Sequence, residues 1–260
     1  MSEAILFDDI LQMINRYGLT FARISGFFLI APIFGSSLIS VRIRLLLALT
    51  LTVPLAALVE GMPMIDVLSI AGGIVIAQQL MLGLIFGFVF LIVTQAFIIG
   101  GQLLAMQAGL GFASMIDPQS GVSVPVLSQF YLLFVTLIFL AMDGHLLFIS
   151  LLAKSFTAMP VHHTVISGNI IWVVVSWTKW MFSAAVVMVL PGIIALLLAN
   201  FALGVLTRAA PQLNIFAVGF PATLTLGLFI SFVTLPSIMP YVESLYTEAF
   251  KTTEIIMEMK

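Results

Sequence analysis

Long uncharged stretches dominate the pattern of apolar and polar positions in this chain. No Asp, Glu, Lys or Arg occurs between Asp66 and Asp117, between Lys179 and Arg208, or between Arg208 and Glu243. About 20 apolar residues are enough for a helix to cross the hydrocarbon layer of a bilayer, which is about 30 Å thick. The pattern therefore predicts an all-α, polytopic integral membrane protein.

Glycine, proline and polar residues divide the apolar pattern into predicted helices. Pro236 and Pro240 are expected to end the last apolar run, and a separate amphipathic helix is predicted over residues 241–260. The net acidic charge of this last helix favours a protein surface, rather than an anionic membrane, for its apolar face. The preceding helices are predicted at about 10–34, 45–59, 67–108, 122–142, 146–159, 170–206 and 223–235.

Two of the predicted helices are too long for one simple crossing. A helix over residues 67–108 would measure roughly 63 Å. Either it turns back near Gly100-Gly101, or it extends beyond the bilayer and packs against protein. Gly83 and Gly87 in this run have the GxxxG spacing that permits close helix approach, although glycine is common in membrane helices in any case. The second long run, 170–206, is predicted to kink at Pro191-Gly192.

Charged residues inside apolar runs predict contacts with protein. Asn15, Arg16 and Arg23 in the first helix are expensive against lipid, so this helix is expected to face other protein. Lys179 lies between Trp177 and Trp180. It is interpreted either as a transport residue or, as we favour, as a lysine that extends to the interface beside aromatic residues.

Composition narrows the classes of function. Of 260 residues 62% are hydrophobic and 8% are charged, and the net charge is −2. Such a chain has no basic surface with which to bind nucleic acid. Because there is no cysteine, disulfides and thiolate metal sites are excluded, and no cofactor is expected. The first ten residues lack the basic region of a signal peptide, so the first apolar stretch is expected to be retained.

The most enzyme-like residues are Asp143 and His145, which are separated by Gly144. They could serve as acid, base or metal ligands, but no further ligand lies nearby in sequence. A turn in which Asp143 caps the following helix is the favoured interpretation. His162-His163 is interpreted as a solvated turn. The chain has no GxSxG, HExxH or Walker motif, and we predict that it is not an enzyme.

Two irregular segments, 109–121 and 208–221, interrupt the apolar helices. Irregular backbone at membrane depth needs protein or a water-filled cavity to satisfy its polar groups. The two segments are therefore predicted to line a pore or an assembly interface.

Three motifs carry a resemblance to a known family: residues 117–121 (DPQSG), 139–145 (FLAMDGH) and 211–221 (PQLNIFAVGFP). In their order and spacing they resemble the flagellar branch of the FliR/SctT family of type III secretion export-gate proteins. The resemblance covers essentially the whole chain.

The resemblance implies a component of the export gate in the bacterial inner membrane, within the flagellar basal body. FliP-like and FliQ-like subunits and FlhB would be its partners in a closed, helical hetero-oligomeric pore that exports unfolded flagellar proteins. It implies one unit, 1–260, with long, kinked helical hairpins: a FliP-like part at about 1–165, a FliQ-like hairpin at 166–240 and the helix at 241–260. The alternatives are a small-solute secondary transporter and the equivalent gate subunit of a virulence injectisome.

In this family the segment matching 109–121 resembles a plug that helps to close the pore. Glycine permits tight backbone there, and methionine suits a seal that must deform, while a plain turn between helices is the alternative. The predicted plug residues are Gly109, Leu110, Gly111, Phe112, Met115, Ile116, Asp117, Pro118 and Gly121. The residues predicted to serve structure and assembly are Asp143, Gly144, His145, Arg208, Pro211, Gln212, Asn214, Phe216, Gly219, Phe220 and Pro221.

Overall fold

The computed structural model describes residues 2–36, 39–59, 69–110, 126–161, 166–210 and 215–259. These residues form α-helices joined by turns, and there is no strand among them. The predicted all-α class is confirmed. The helices are α1 (Ser2–Ile30), α2 (Val41–Ala57), α3 (Ile70–Gln107), α4 (Val126–Ala141), α5 (Gly144–Ala158), α6 (Gly168–Ala209) and α7 (Ile215–Glu258).

Three helices are long and apolar enough to cross a membrane. They contain the spans Ile70–Gln107, Gly168–Ala209 and Gly219–Glu258, and the bent pair α4 and α5 could supply a fourth. At 38, 42 and 44 residues, α3, α6 and α7 measure about 57, 63 and 66 Å. Each is about twice as long as the hydrocarbon layer is thick. The predicted polytopic membrane protein is confirmed.

Helix α3 continues through Gly100-Gly101, so of the two alternatives for this run the reversal of the chain is excluded and packing of an unbroken helix against protein is confirmed. The two glycines serve helix packing instead. A methyl group added at Gly101 would lie 2.8 Å from Cα of Ser128 on α4, and one added at Gly100 would lie 3.3 Å from the carbonyl oxygen of Ala185 on α6. The pair lets two helices approach the same turn of α3.

Helix α7 contains Pro221, Pro236 and Pro240, so the expected helix end at the last two prolines is wrong. The separate helix predicted at 241–260 is the continuation of α7. Proline removes a backbone donor, but membrane helices tolerate it where side chains satisfy the carbonyls that are left over.

The structure also corrects the bounds of α1 and of the second irregular segment. Helix α1 ends at Ile30 rather than near Phe34, because Pro32 disfavours helix in the residue before it and Ile33 is left-handed with φ 71°. Much of 208–221 is helical, since α6 extends to Ala209 and α7 begins at Ile215.

The chain packs as two compact units. Unit 1 comprises Met1–Ile92, Leu140–Trp177 and Tyr246–Lys260, and unit 2 comprises Val93–Phe139 and Thr178–Leu245.

An aromatic cluster forms the centre of unit 1. The ring of Phe148 lies 5.1 Å from that of Phe27 and 4.6 Å from that of Phe90, and Phe250 lies 4.7 Å from Phe90. These rings come from α5, α1, α3 and the end of α7. Tyr246 and Ala249 on the apolar face of the C-terminal residues are also buried. The expectation that this face packs on protein is confirmed.

Helices α1 and α3 are in backbone contact at glycines. A methyl group at Gly83 would collide with the carbonyl oxygen of Arg23, and one at Gly87 would lie 2.8 Å from that of Phe27. Across the same contact, Gly26 of α1 lies against the carbonyl of Leu80. The packing role predicted from the spacing of Gly83 and Gly87 is confirmed.

We expect Gly83→Ala to lower the free energy of unfolding of the protein in its native membrane by about 2 kcal/mol, because the added methyl group meets rigid backbone. Gly73→Ala is the matched control, since Gly73 also lies in α3 and has open space around it. The control should be neutral or stabilising by up to about 1 kcal/mol, because alanine has the higher helix propensity. The temperature at which each variant becomes sensitive to protease in native membranes measures both changes, and equal behaviour of the two variants would contradict the packing role.

Candidate functional site

The predicted plug segment begins where α3 ends, at a glycine in the left-handed conformation. Gly109 has φ 88°. Its N–H donates to the Met106 carbonyl oxygen at 3.1 Å, and the Leu110 N–H donates to that of Ala105 at 2.9 Å. This bond pattern is the Schellman motif, in which a left-handed residue ends a helix and satisfies its last carbonyls. The tight backbone predicted at Gly109 is confirmed.

Side chains of α6 and α7 hold this end of α3 within unit 2. Thr223 Oγ1 donates to the Ala108 carbonyl oxygen at 3.3 Å, and Asn200 Nδ2 donates to that of Gln107 at the same distance. A methyl group at Gly109 would lie 3.2 Å from Cδ2 of Phe220. The start of the predicted plug segment therefore contacts Phe220, a residue of the third motif, and the end of α3 just before it is held by Thr223 and Asn200.

The rest of the plug prediction lies outside the described residues. Leu110 is the last of the predicted plug residues that the structure describes. The predicted plug residues beyond it are Gly111, Phe112, Met115, Ile116, Asp117, Pro118 and Gly121.

The described residues of the second irregular segment, 208–221, lie at the end of α6 and the start of α7. Arg208 lies in the last turn of α6, where a cation is favourable beside the exposed carbonyls. Gly219, Phe220 and Pro221 lie in α7, and Phe216 lies in its first turn. Pro211, Gln212 and Asn214 lie outside the described residues.

Asp143, Gly144 and His145 form the predicted turn, but the predicted side-chain cap is wrong. Asp143 is left-handed, with φ 55° and ψ 28°, and its side chain makes no capping bond to α5. A capping residue normally has extended backbone, which brings its side chain over the first turn. Here the Asp143 carbonyl oxygen accepts from the Leu146 N–H at 2.9 Å instead. His145 Nδ1 is buried and, within the part of the chain that the structure describes, makes no hydrogen bond.

We expect Asp143→Gly to retain stability and Asp143→Thr to lose about 1–2 kcal/mol, because glycine adopts the left-handed conformation freely and a β-branched residue does not. Thermal unfolding of the two variants measures the difference. If Asp143 acted as a side-chain cap, threonine and glycine would be about equally good replacements. Equal stability of the two variants would therefore restore the capping interpretation.

Arg23 is a buried arginine whose need for protein contacts was predicted from the sequence, but whose partners were not. Arg23 has 0% exposed area. Its Nε donates to Gln79 Oε1 at 2.9 Å, its Nη1 to the Ser155 carbonyl oxygen at 2.7 Å and its Nη2 to that of Met159 at 2.8 Å. The guanidinium also lies 4.3 Å from the centre of the Phe156 ring. The expected contact of Arg23 with protein is confirmed, and its partners belong to the same chain.

These Arg23 contacts join α1 to the C-terminal end of α5, where the helix dipole favours a cation. Arg16 makes the same kind of contact with α2. Its Nη2 donates to the Ala57 carbonyl oxygen at 3.0 Å and its Nε to that of Ala56. The two arginines of α1 therefore bond to the last carbonyls of α2 and α5.

No group of three or more His, Asp or Glu side chains that could hold a metal ion occurs among the described residues.

Comparison with known proteins gives consistent matches. Residues 14–249 match the family described as Bacterial export proteins, family 1. The chain is 34% identical over 242 residues to the flagellar biosynthetic protein FliR of Pectobacterium carotovorum subsp. carotovorum, covering 93% of this chain and 92% of the relative. It is 33% identical over 252 residues to FliR of Escherichia coli strain K12, covering 96% and 95%. With FliR of Aquifex aeolicus the identity is 32% over 245 residues, covering 92% and 93%. The matched residues extend into both compact units.

Proposed function

The chain belongs to the family of bacterial export proteins, family 1, and we propose, from its flagellar relatives, that it is a component of the flagellar protein export apparatus in the bacterial inner membrane. In this proposal it assembles with FliP-like and FliQ-like subunits and FlhB. Together they form a closed helical pore at the flagellar basal body, and unfolded flagellar proteins pass through it. The chain carries out no catalytic step and needs no cofactor.

The observation that carries this proposal is the exposed apolar surface of α6. Large apolar side chains are exposed along this helix from Trp172 to Val205. That distance is about 50 Å along the helix axis, whereas the hydrocarbon layer covers about 30 Å. Lipid alone cannot cover the whole surface, so part of it requires other protein chains. A hetero-oligomeric assembly supplies them.

The alternative functions fit less well. A small-solute secondary transporter places a charged binding site near the membrane midplane, but the buried Arg23 is bonded to helix-end carbonyls and to Gln79. The three relatives described above are flagellar proteins, which favours a flagellar export gate over a virulence injectisome.

Within the pore, we assign the plug to residues 109–121. Support comes from the fixed start of this segment, because Gly109 and Ala108 contact Phe220 and Thr223 of α7. A segment attached to rigid helices at its start can change its conformation without disturbing those helices. Leu110, Phe112, Met115 and Ile116 would supply the apolar seal, each contributing about 1.5–3 kcal/mol when it is fully buried.

Expression without partners tests the assembly. We expect the chain alone to be degraded or to aggregate, because its exposed apolar surface needs protein contacts. Co-expression with FliP-like and FliQ-like subunits should give a complex that elutes as one peak in detergent gel filtration. A monodisperse, protease-resistant monomer obtained without partners would overturn the proposed function.

Deletion of Leu110–Ile116 tests the plug. The complex should still assemble, because the helices keep their contacts, but it should conduct ions across a planar bilayer. A deletion of the same length between α2 and α3, the seven residues 61–67, is the control and should leave the conductance unchanged. An assembled deletion complex that remains closed to ions would show that the segment is only a connector.

A further inference from the structure

One face of α6 is exposed along almost its whole length. Exposed residues recur every three or four positions, which is the spacing of a single helical face. The buried residues, such as Trp177, Met181 and Ala185, lie on the opposite face. We call the exposed set the α6 stripe. It consists of Trp172, Val175, Lys179, Phe182, Val186, Leu190, Ile194, Leu197, Phe201 and Val205.

Lys179 is the single charged residue of the α6 stripe. Apolar members lie on both sides of it, with Val175 and Trp172 before it and Phe182 and Val186 after it. Ser176 and Ser183, one turn away on either side, are also exposed. These hydroxyl groups and the ammonium group form a small polar island within an apolar surface.

Lys179 forms no ion pair with any residue that the structure describes. No Asp or Glu occurs from Gly144 to Val242. Ion pairs in the described part of the chain join Lys154 to Glu254 and Lys251 to Glu248, and neither includes Lys179.

Two observations disfavour a lysine that merely extends to lipid headgroups. Trp177 does not belong to an aromatic belt, because it is buried and its indole N–H donates to the Val89 carbonyl oxygen at 3.0 Å. Exposed aliphatic side chains of α6 also continue past Lys179 to Val175 and Ile171, about 6 and 12 Å farther along the helix axis, with exposed fractions of 56% and 52%. A headgroup layer at Lys179 would leave these two side chains outside the hydrocarbon. The interpretation of Lys179 as an interfacial lysine is therefore not favoured.

We infer that Lys179 is a docking point for another protein chain, whose apolar helix presents an Asp or Glu carboxylate to it. This inference rests on the proposed function, because it requires a neighbouring subunit over the α6 stripe. An ammonium group covered by apolar protein needs a counter-charge and hydrogen bonds. A carboxylate has about four acceptor sites, so it can accept from Lys179 and from the hydroxyl of either Ser176 or Ser183. Charge complementarity thus defines the partner surface as an acidic residue within an apolar helix.

Carbodiimide cross-linking of the purified, fully assembled complex tests this inference. The reagent joins a neighbouring amine and carboxylate as an amide, and it takes up the water that is lost. We expect mass spectrometry to find Lys179 linked to an Asp or Glu of another protein chain. The pair Lys154–Glu254, whose Nζ and Oε1 atoms are 3.4 Å apart, should form an intrachain link and is the internal standard.

Two variants complete the test. Lys179→Arg keeps the charge but cannot form the amide, so the complex should assemble without this link. Lys179→Met would leave the partner's carboxylate buried and unpaired, and the yield of co-purifying subunits should fall about tenfold.

Three results would overturn the inference. The first is a complex that shows the Lys154–Glu254 link and no link at Lys179, together with normal assembly of Lys179→Met. The second is a Lys179→Met complex that keeps its subunits and loses bound anionic lipid, which would assign Lys179 to a headgroup. The third is a chain that purifies as a folded monomer, in which case the proposed function fails as well.

Discussion

The buried guanidinium of Arg23 joins three helices of unit 1, because it lies on α1 and its partners lie on α3 and α5. A charge that is removed from water must find its hydrogen bonds inside the protein. Arg23 finds them in the side chain of Gln79 and in the carbonyl groups at the end of α5, where the helix dipole adds a favourable term. This arrangement requires α1 and α3 to lie unusually close. Gly83 provides that closeness, since it lies against the carbonyl oxygen of Arg23 itself.

Other polar groups of the chain also find their hydrogen bonds inside the protein, with different partners. Arg16 bonds to the carbonyls at the end of α2, and the left-handed Gly109 lets the last carbonyls of α3 accept backbone N–H groups. In each case a polar group that lipid could not satisfy is satisfied within the chain. Lys179 differs, because the described part of its own chain offers it no ion pair. The other polar groups find their partners within the chain. Lys179 lies on the α6 stripe, which we assign to contact with a neighbouring chain.

Sequence reasoning succeeded where the signal is local. The class of fold, the packing role of Gly83 and the turn at Asp143 all follow from spacing or composition over a few residues. It failed at Pro236, because the rule that proline ends a helix is drawn from soluble helices and does not hold within a membrane helix. At Gly100-Gly101 it left two alternatives open, because the local pattern does not include the neighbouring helices that pack beside these glycines. The partners of Arg23 could not have been predicted, since Gln79 and Ser155 lie 56 and 132 residues away along the chain. The pattern showed only that Arg23 needed some partner.

The place of the C-terminal end of α7 has a consequence for biosynthesis. Residues 246–260 belong to unit 1, whose other parts include the N-terminal residues, and Phe250 packs against Phe90 and Phe148. A growing polypeptide emerges from the ribosome with its N-terminus first, so residues 246–260 become available after all other parts of unit 1. The aromatic centre of unit 1 therefore remains incomplete until Phe250 has left the ribosome. Until then the rings of Phe90 and Phe148 lack the contact that Phe250 provides.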